Sequence, residues 1–388
     1  MNVPLFNLTR QYRSLKGDIL RDINRVISSG CVILGPENEH FSKELQQYLH
    51  VNHVIGVSSG TDALVIALKA LGISKDDLVI TTPYSFFSTA SCIVRLEAKP
   101  LFIDINLSDY NISIERLRDF FEHDDRASKV KAIIPVHLFG KVADMNNIME
   151  MARRYDIKVL EDCAQAIGAK YKVATGDLRF AGTIGDAGIL SFYPTKNLGA
   201  YGDGGAILTN DDAIYSTSRM LRVHGSKDKY YHEMVGYNAR LDEIQAAVLR
   251  LKLRYLDEWI EKRRNAARTY AHLFGEYQLD EYLDYPVLDL EAYPDHVFHQ
   301  YVVRCKEENV RDNLRRYLTS KGIGTLIYYP VPLHLQECFA YLRYKEGDMP
   351  NAEKAAKTTI AIPMFPEITE EEQRYVVNTI QDFFKVRR

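Results

Sequence analysis

The chain predicts an α/β fold with a mostly parallel sheet, backed by a smaller α+β domain, and three observations predict it. Between residues 50 and 210, short β-branched runs alternate with helical patterns, as βαβ units require. Beyond residue 240 the alternation stops, and helices mix with isolated short strands. The length, 388 residues, also exceeds what one hydrophobic core usually serves. Residues 1–250 are therefore read as a large domain and residues 251–388 as a small one, with the N-terminal segment packing on the small one. No repeat, low-complexity stretch or linker separates them, so the two parts are expected to pack as one unit.

Seven strands fit the first region: His53–Val57, Leu78–Thr82, Lys99–Ile103, Lys131–Val136, Lys158–Glu161, Ala187–Phe192 and Gly205–Thr209. Their near-continuous apolar runs suit a sheet buried on both faces. Helical spacing fits Asp62–Leu71, Ile114–Glu122 and Asp144–Tyr155 between them. Polar, reactive residues recur just after strands, which points to a site along the C-terminal sheet edge. Apolar residues at helical spacing from Leu241 to Tyr270 predict one long helix. Tyr301–Arg304 reads as a strand, and Arg311–Ser320 and Glu370–Phe384 as helices.

Composition removes several classes. The net charge is −3, and the basic clusters Lys262-Arg263-Arg264 and Lys385-Val386-Arg387-Arg388 are short. They read as a solvated helix face and a frayed tail, and nucleic acid is a poor partner. No uncharged apolar stretch reaches bilayer length, and the start lacks the pattern of a secretory signal, so no membrane role is expected. Five scattered cysteines without a C-x-x-C pair argue for reduced thiols, each a small buried hydrophobe, in a cytoplasmic protein without zinc. His296 and His299 lack acidic or Cys partners and are read as structural, so no metal is expected.

Three segments carry chemistry. Ser58-Ser59-Gly60-Thr61-Asp62 follows a strand and opens a helix, where small residues and the helix dipole favour an anion; a plain N-cap has the same appearance. Lys158–Asp162 delivers a carboxylate at a strand end, which suits a cationic ring nitrogen or a simple cap of the next helix. Glu161 should face the other way by strand alternation. Ser191-Phe192-Tyr193-Pro194-Thr195-Lys196-Asn197, followed by Gly199 and Gly202-Asp203-Gly204-Gly205, puts a lysine in an apolar, glycine-rich turn. Desolvation there lowers an amine's pKa and makes it nucleophilic.

In this order and spacing the three segments resemble fold-type I pyridoxal-phosphate enzymes. More narrowly, nearly the whole chain is similar to the DegT/DnrJ/StrS family of sugar-nucleotide aminotransferases. The likeness also includes Gly35-Pro36-Glu37, Gly185-Asp186, Gly236-Tyr237-Asn238-Ala239-Arg240-Leu241-Asp242-Glu243-Ile244-Gln245 and Tyr328-Tyr329-Pro330-Val331-Pro332-Leu333-His334. It implies pyridoxal 5′-phosphate held on Lys196 as a Schiff base, Asp162 paired with the ring nitrogen and Gln165 at the phenolic oxygen. Gly60, Thr61 and Ser191 would hold the phosphate, and Phe86 would stack on the ring while Phe87 joins the core.

Asn238 would reach the phosphate across a homodimer interface with shared sites; it also suits a cap of the long helix. His334 and Tyr328 match a segment near the sugar nucleotide. The implied reaction passes an amino group from L-glutamate to a keto-sugar nucleotide by a ping-pong mechanism, with the 3-keto position favoured over the 4-keto. A dehydratase reading, which relatives with His at the lysine position follow, is disfavoured by Lys196. A regulatory or binding protein on the same fold, and a different pyridoxal-phosphate reaction on an amino acid, are the rival readings.

Overall fold

The computed structural model describes residues 1–286 and 294–387, apart from the Arg387 side chain. All seven expected strands are present in one sheet. They are β1 (His53–Val57), β2 (Leu78–Thr81), β3 (Lys99–Phe102), β4 (Val130–Ile133), β5 (Lys158–Asp162), β6 (Ala187–Ser191) and β7 (Gly205–Thr209). Their order is β1-β7-β6-β5-β4-β2-β3. β7 runs antiparallel to both neighbours, while β2 to β6 pair in parallel. Helices on both faces bury the strands nearly completely, so the β-branched runs carry no polar alternation. Register matters most between β5 and β6, where Asp162 sits beside Ile189. That pairing brings Ser191 and the turn after it to the edge where Asp162 ends.

The expected long helix is two helices, Glu243–Leu253 and Leu256–Glu276. The apolar spacing runs on through Arg254 and Tyr255, so no breaker announces the bend. Packing imposes it. Leu256 and Ile260 join the core beneath the sheet, while Ala267, Tyr270 and Leu273 enter a second core. This second core surrounds a three-stranded antiparallel sheet of Leu283–Asp284, Tyr301–Cys305 and Thr359–Ile362, with helices Arg311–Ser320 and Glu370–Arg387 against it. Val3 is buried there and exchanges backbone bonds with Gly322 and Gly324.

Several local readings change. Arg263 is not part of a solvated face; it is buried and donates to the carbonyls of Phe298, His299 and Met364. The charged C-terminal run stays helical through Arg387, and Arg388 lies outside the described residues. Cys92, Cys163 and Cys305 are buried, but Cys31 and Cys338 are exposed. Among the described residues no helix is long and apolar enough to cross a membrane.

Candidate active site

The helix Gly60–Ala70 starts directly off the end of β1. Its N-cap, Ser59, accepts from the Asp62 amide at 3.0 Å, and the Ser58 and Ser59 hydroxyls donate to the Asp62 carboxylate. Capping thus engages Asp62, and the amides of Gly60 and Thr61 remain at the helix start, where an anion is favoured. Gly60 is required by close approach: a Cβ there would lie 2.8 Å from the Cβ of Ser191. Gly205 does the same on β7, since its Cβ would meet the Ser59 backbone at 2.5 Å. The two glycines let β6, β7 and the helix start close into one cup.

β5 ends at Asp162, which is buried. Thr89 donates to one carboxylate oxygen at 2.9 Å and the Ala164 amide to the other at 3.2 Å. Burial raises the Asp162 pKa, and among the described residues no cation lies within ion-pair distance of it. Glu161 faces the opposite side, as alternation requires. It accepts from the amides of Gly182, Ile184 and Gly185 and pairs with His137 at 3.0 Å. His137, Glu161 and Cys163 lie close enough to hold a metal, but these bonds already occupy the carboxylate.

After β6 the chain makes a closed turn. Ala200 donates back to the Phe192 carbonyl and Lys196 to that of Tyr193, both at 2.8 Å. Lys196 keeps some contact with solvent, yet the surrounding protein desolvates it. Burial pushes its pKa down to about 8, with the Asp162 charge pulling the other way.

A cavity of about 730 Å³ joins these elements. Of the residues singled out in the sequence, Gly60, Thr61, Phe86, Asp162, Gln165, Ser191, Lys196 and Tyr328 all line it. Gln165 is held at both ends, accepting from the Phe139 amide at 2.6 Å and donating to the Tyr329 hydroxyl at 3.2 Å. Phe86 is 58% exposed toward the opening. Phe87 is 44% exposed and stacks on Phe339, so it is no core residue.

Two candidates do not join the cavity. His334 is buried against Glu353 at 3.1 Å, packed near Tyr344. Asn238 is exposed and away from this chain's own cavity. It caps no helix either, because Asp242 occupies the N-cap position of Glu243–Leu253. Sequence reasoning missed Thr89, Tyr329 and His299. Tyr329 lies inside the Tyr328–His334 motif and Thr89 three residues past Phe86, neither with any local sign of its bonds. His299, read as structural, lines the cavity and contacts Asn197 at 3.3 Å, with its pKa pushed far down by burial.

A buried carboxylate without a cation, a helix start with free amides and a desolvated amine on one cavity fit a cofactor carrying a ring cation, a phosphate and an aldehyde. Fold and cavity together define a pyridoxal-phosphate-dependent enzyme of the fold-type I class. Residues 13–381 match the profile of the DegT/DnrJ/EryC1/StrS aminotransferase family, and the chain belongs to that family. It is 47% identical over 391 residues to a "pleiotropic regulatory protein" of Geobacillus stearothermophilus, covering 99% of each chain. It is 38% identical over 380 residues to a UDP-N-acetyl-3-dehydro-alpha-D-glucosamine 3-aminotransferase of Acidithiobacillus ferrooxidans, covering 98% and 97%. Among solved structures it resembles NtdA from Bacillus subtilis with bound cofactor PMP, with a TM-score of 0.89, 31% identity and coverage of 99% and 85%.

Proposed function

We propose that this enzyme transfers an amino group from L-glutamate to a nucleotide-linked 3-keto sugar in two half-reactions, with Lys196 as the reacting amine. The observation that carries the reading is the convergence of Lys196, Asp162 and the Gly60 helix start on one cavity. When bound, pyridoxal phosphate supplies the aldehyde and an electron-accepting ring. The chain supplies the rest. The amides of Gly60 and Thr61 and the Ser191 hydroxyl hold the phosphate. Asp162, fixed by Thr89 and Ala164, holds the ring nitrogen in its protonated form. Phe86, Tyr328 and Tyr329 wall the cavity and exclude water.

The Lys196 amine takes the proton from the donor's α-carbon and later delivers one to the sugar carbon. General acid–base transfer of this kind contributes roughly 10²–10⁴-fold. The Acidithiobacillus relative, whose name specifies a 3-dehydro sugar, supports the 3-keto choice over a 4-keto sugar. We assign a homodimer in which Asn238 serves the partner's phosphate site; its exposure away from its own cavity favours this.

A regulatory role without catalysis is the second reading, favoured by the name of the Geobacillus relative. Purified protein loaded with pyridoxal phosphate and given L-glutamate separates the two. The visible absorbance of the cofactor should change and 2-oxoglutarate should accumulate, in proportion to enzyme. A panel of 3-keto and 4-keto sugar nucleotides should then restore the first spectrum, fastest with a 3-keto member. An unchanged spectrum with glutamate would remove the transaminase reading and leave the regulatory one.

A further inference from the structure

The turn carrying Lys196 is gripped from behind by the helix Glu243–Leu253. Gln245 accepts from the Tyr201 amide at 2.9 Å, and the Lys252 ammonium donates to the Gly199 carbonyl at 2.6 Å. Lys252 is fully buried. Among the described residues no carboxylate lies within ion-pair distance, and Glu367 acts on it only from farther away. Its ammonium rests 4.1 Å from the ring centre of Tyr201. Tyr201 in turn meets Tyr12, on the N-terminal helix Leu8–Ser29, edge to face at 6.2 Å.

A lysine in this place needs a reason. Burying an ammonium without a carboxylate is costly, and a leucine or methionine of similar volume would fill the space without that penalty. Lysine adds two things that they lack. One is a donor for the Gly199 carbonyl, three residues past Lys196; the other is a cation over the Tyr201 face.

Gly199 has no slack. A side chain on its α-carbon would collide with the Pro194 carbonyl, and Ala200 is already bonded to Phe192. A shift at Gly199 therefore passes straight to Pro194, Thr195 and Lys196. On the other side of the turn, Asn197 donates to the Val297 carbonyl at 3.2 Å, so the segment is held from both faces.

We propose that Lys252 is a positioning residue for Lys196: its buried ammonium, tied to the Gly199 carbonyl and seated on Tyr201, fixes the turn from which Lys196 reaches the cavity. This rests on the reading of Lys196 as the reacting amine. Lys252 itself stays out of the cavity.

The test compares Lys252→Met, Lys252→Gln and Tyr201→Leu with the natural chain, using two readouts. In the cofactor-free chain, acetylation of Lys196 by acetic anhydride is followed against pH by peptide mass spectrometry. In the loaded enzyme, kcat and KM for L-glutamate are measured. Lys252→Met should raise the midpoint of the Lys196 acetylation curve by about one pH unit, because a loosened turn rehydrates the amine. It should lower kcat roughly ten-fold while KM stays within about two-fold. Lys252→Gln, which keeps a donor near Gly199, should recover at least half of kcat.

Tyr201→Leu should move the acetylation curve the same way by less, and it carries the test should the Met chain fail to fold. A natural acetylation curve in whichever of the Met and Leu variants folds, with only the melting temperature lowered, overturns the assignment. Failure of the underlying reading looks different: Lys196→Ala would then keep full amino-transfer activity whatever Lys252 does.

Discussion

The two ends of the cavity are built on different principles. At one end Gly60, Thr61, Asp162, Ser191 and Lys196 sit at the tips of β1, β5 and β6, on the most deeply buried sheet of the molecule. Their side chains answer to a rigid frame in which a core strand residue such as Ile189 has no exposed surface. At the other end Phe6, Leu326, Tyr328 and Tyr329 come from the N-terminal segment and from a connection beside the second core. Bonds tie this wall to the sheet side, from the Tyr84 hydroxyl to the Tyr328 carbonyl at 2.5 Å and from the Gln165 amide to the Tyr329 hydroxyl at 3.2 Å. On the proposed function, the frame carries the chemistry and the connection the selectivity. Changes in the frame should therefore act on kcat, and changes in the connection on KM.

The largest effect is expected from Lys196→Ala, which removes the amine proposed to react. Amino transfer should fall by roughly 10²–10⁴-fold, measured as 2-oxoglutarate release, with the melting temperature nearly unchanged. Asp162→Asn comes next. It keeps the shape and the Thr89 contact but removes the charge facing the ring nitrogen, and kcat should fall on the order of 100-fold, about the value of one buried charge partner. A raised KM alone, with kcat intact, would break the contrast between frame and connection.

Thr89→Ala deletes a single neutral donor to that carboxylate. The loss should be about 1–2 kcal/mol, or roughly five- to thirty-fold in kcat. In the loop after β2, Phe86→Ala should weaken cofactor binding by about 0.5–1.5 kcal/mol, read as a shifted dissociation constant in a fluorescence titration.

Titration sharpens the same comparison. Burial lowers the Lys196 amine to about 8, so below that pH it is mostly cationic and unable to attack an aldehyde. Capture of pyridoxal phosphate by the cofactor-free chain should therefore speed up as pH rises through about 8 and level off above it. An ordinary lysine would keep accelerating toward about pH 10.

Legibility in the sequence divides along the same line. The seven strands and the three chemical segments were readable because each is a local pattern: a β-branched run, a strand-end acid, a lysine among glycines. The bend at Arg254-Tyr255 was not, since apolar spacing runs unbroken through it and two separate cores decide where the helix turns. Tyr328 lies in the cavity wall, whereas His334, six residues on, packs against Glu353 in a buried interior. Nothing local distinguishes a histidine that faces a cavity from one that satisfies a buried carboxylate. His299 also lines the cavity while bonding to Asn197, about a hundred residues earlier in the chain, a long-range contact that no local pattern announces.

The proposed chemistry stands on the identity of one nitrogen. Cofactor-free protein should be mixed with pyridoxal phosphate, reduced with borohydride, digested, and its peptides weighed. The cofactor's mass should be fixed on the peptide containing Lys196 and absent after Lys196→Ala. Label on the Lys252 peptide or any other lysine instead, or no fixed label at all, would contradict the assignment of Lys196 as the reacting amine.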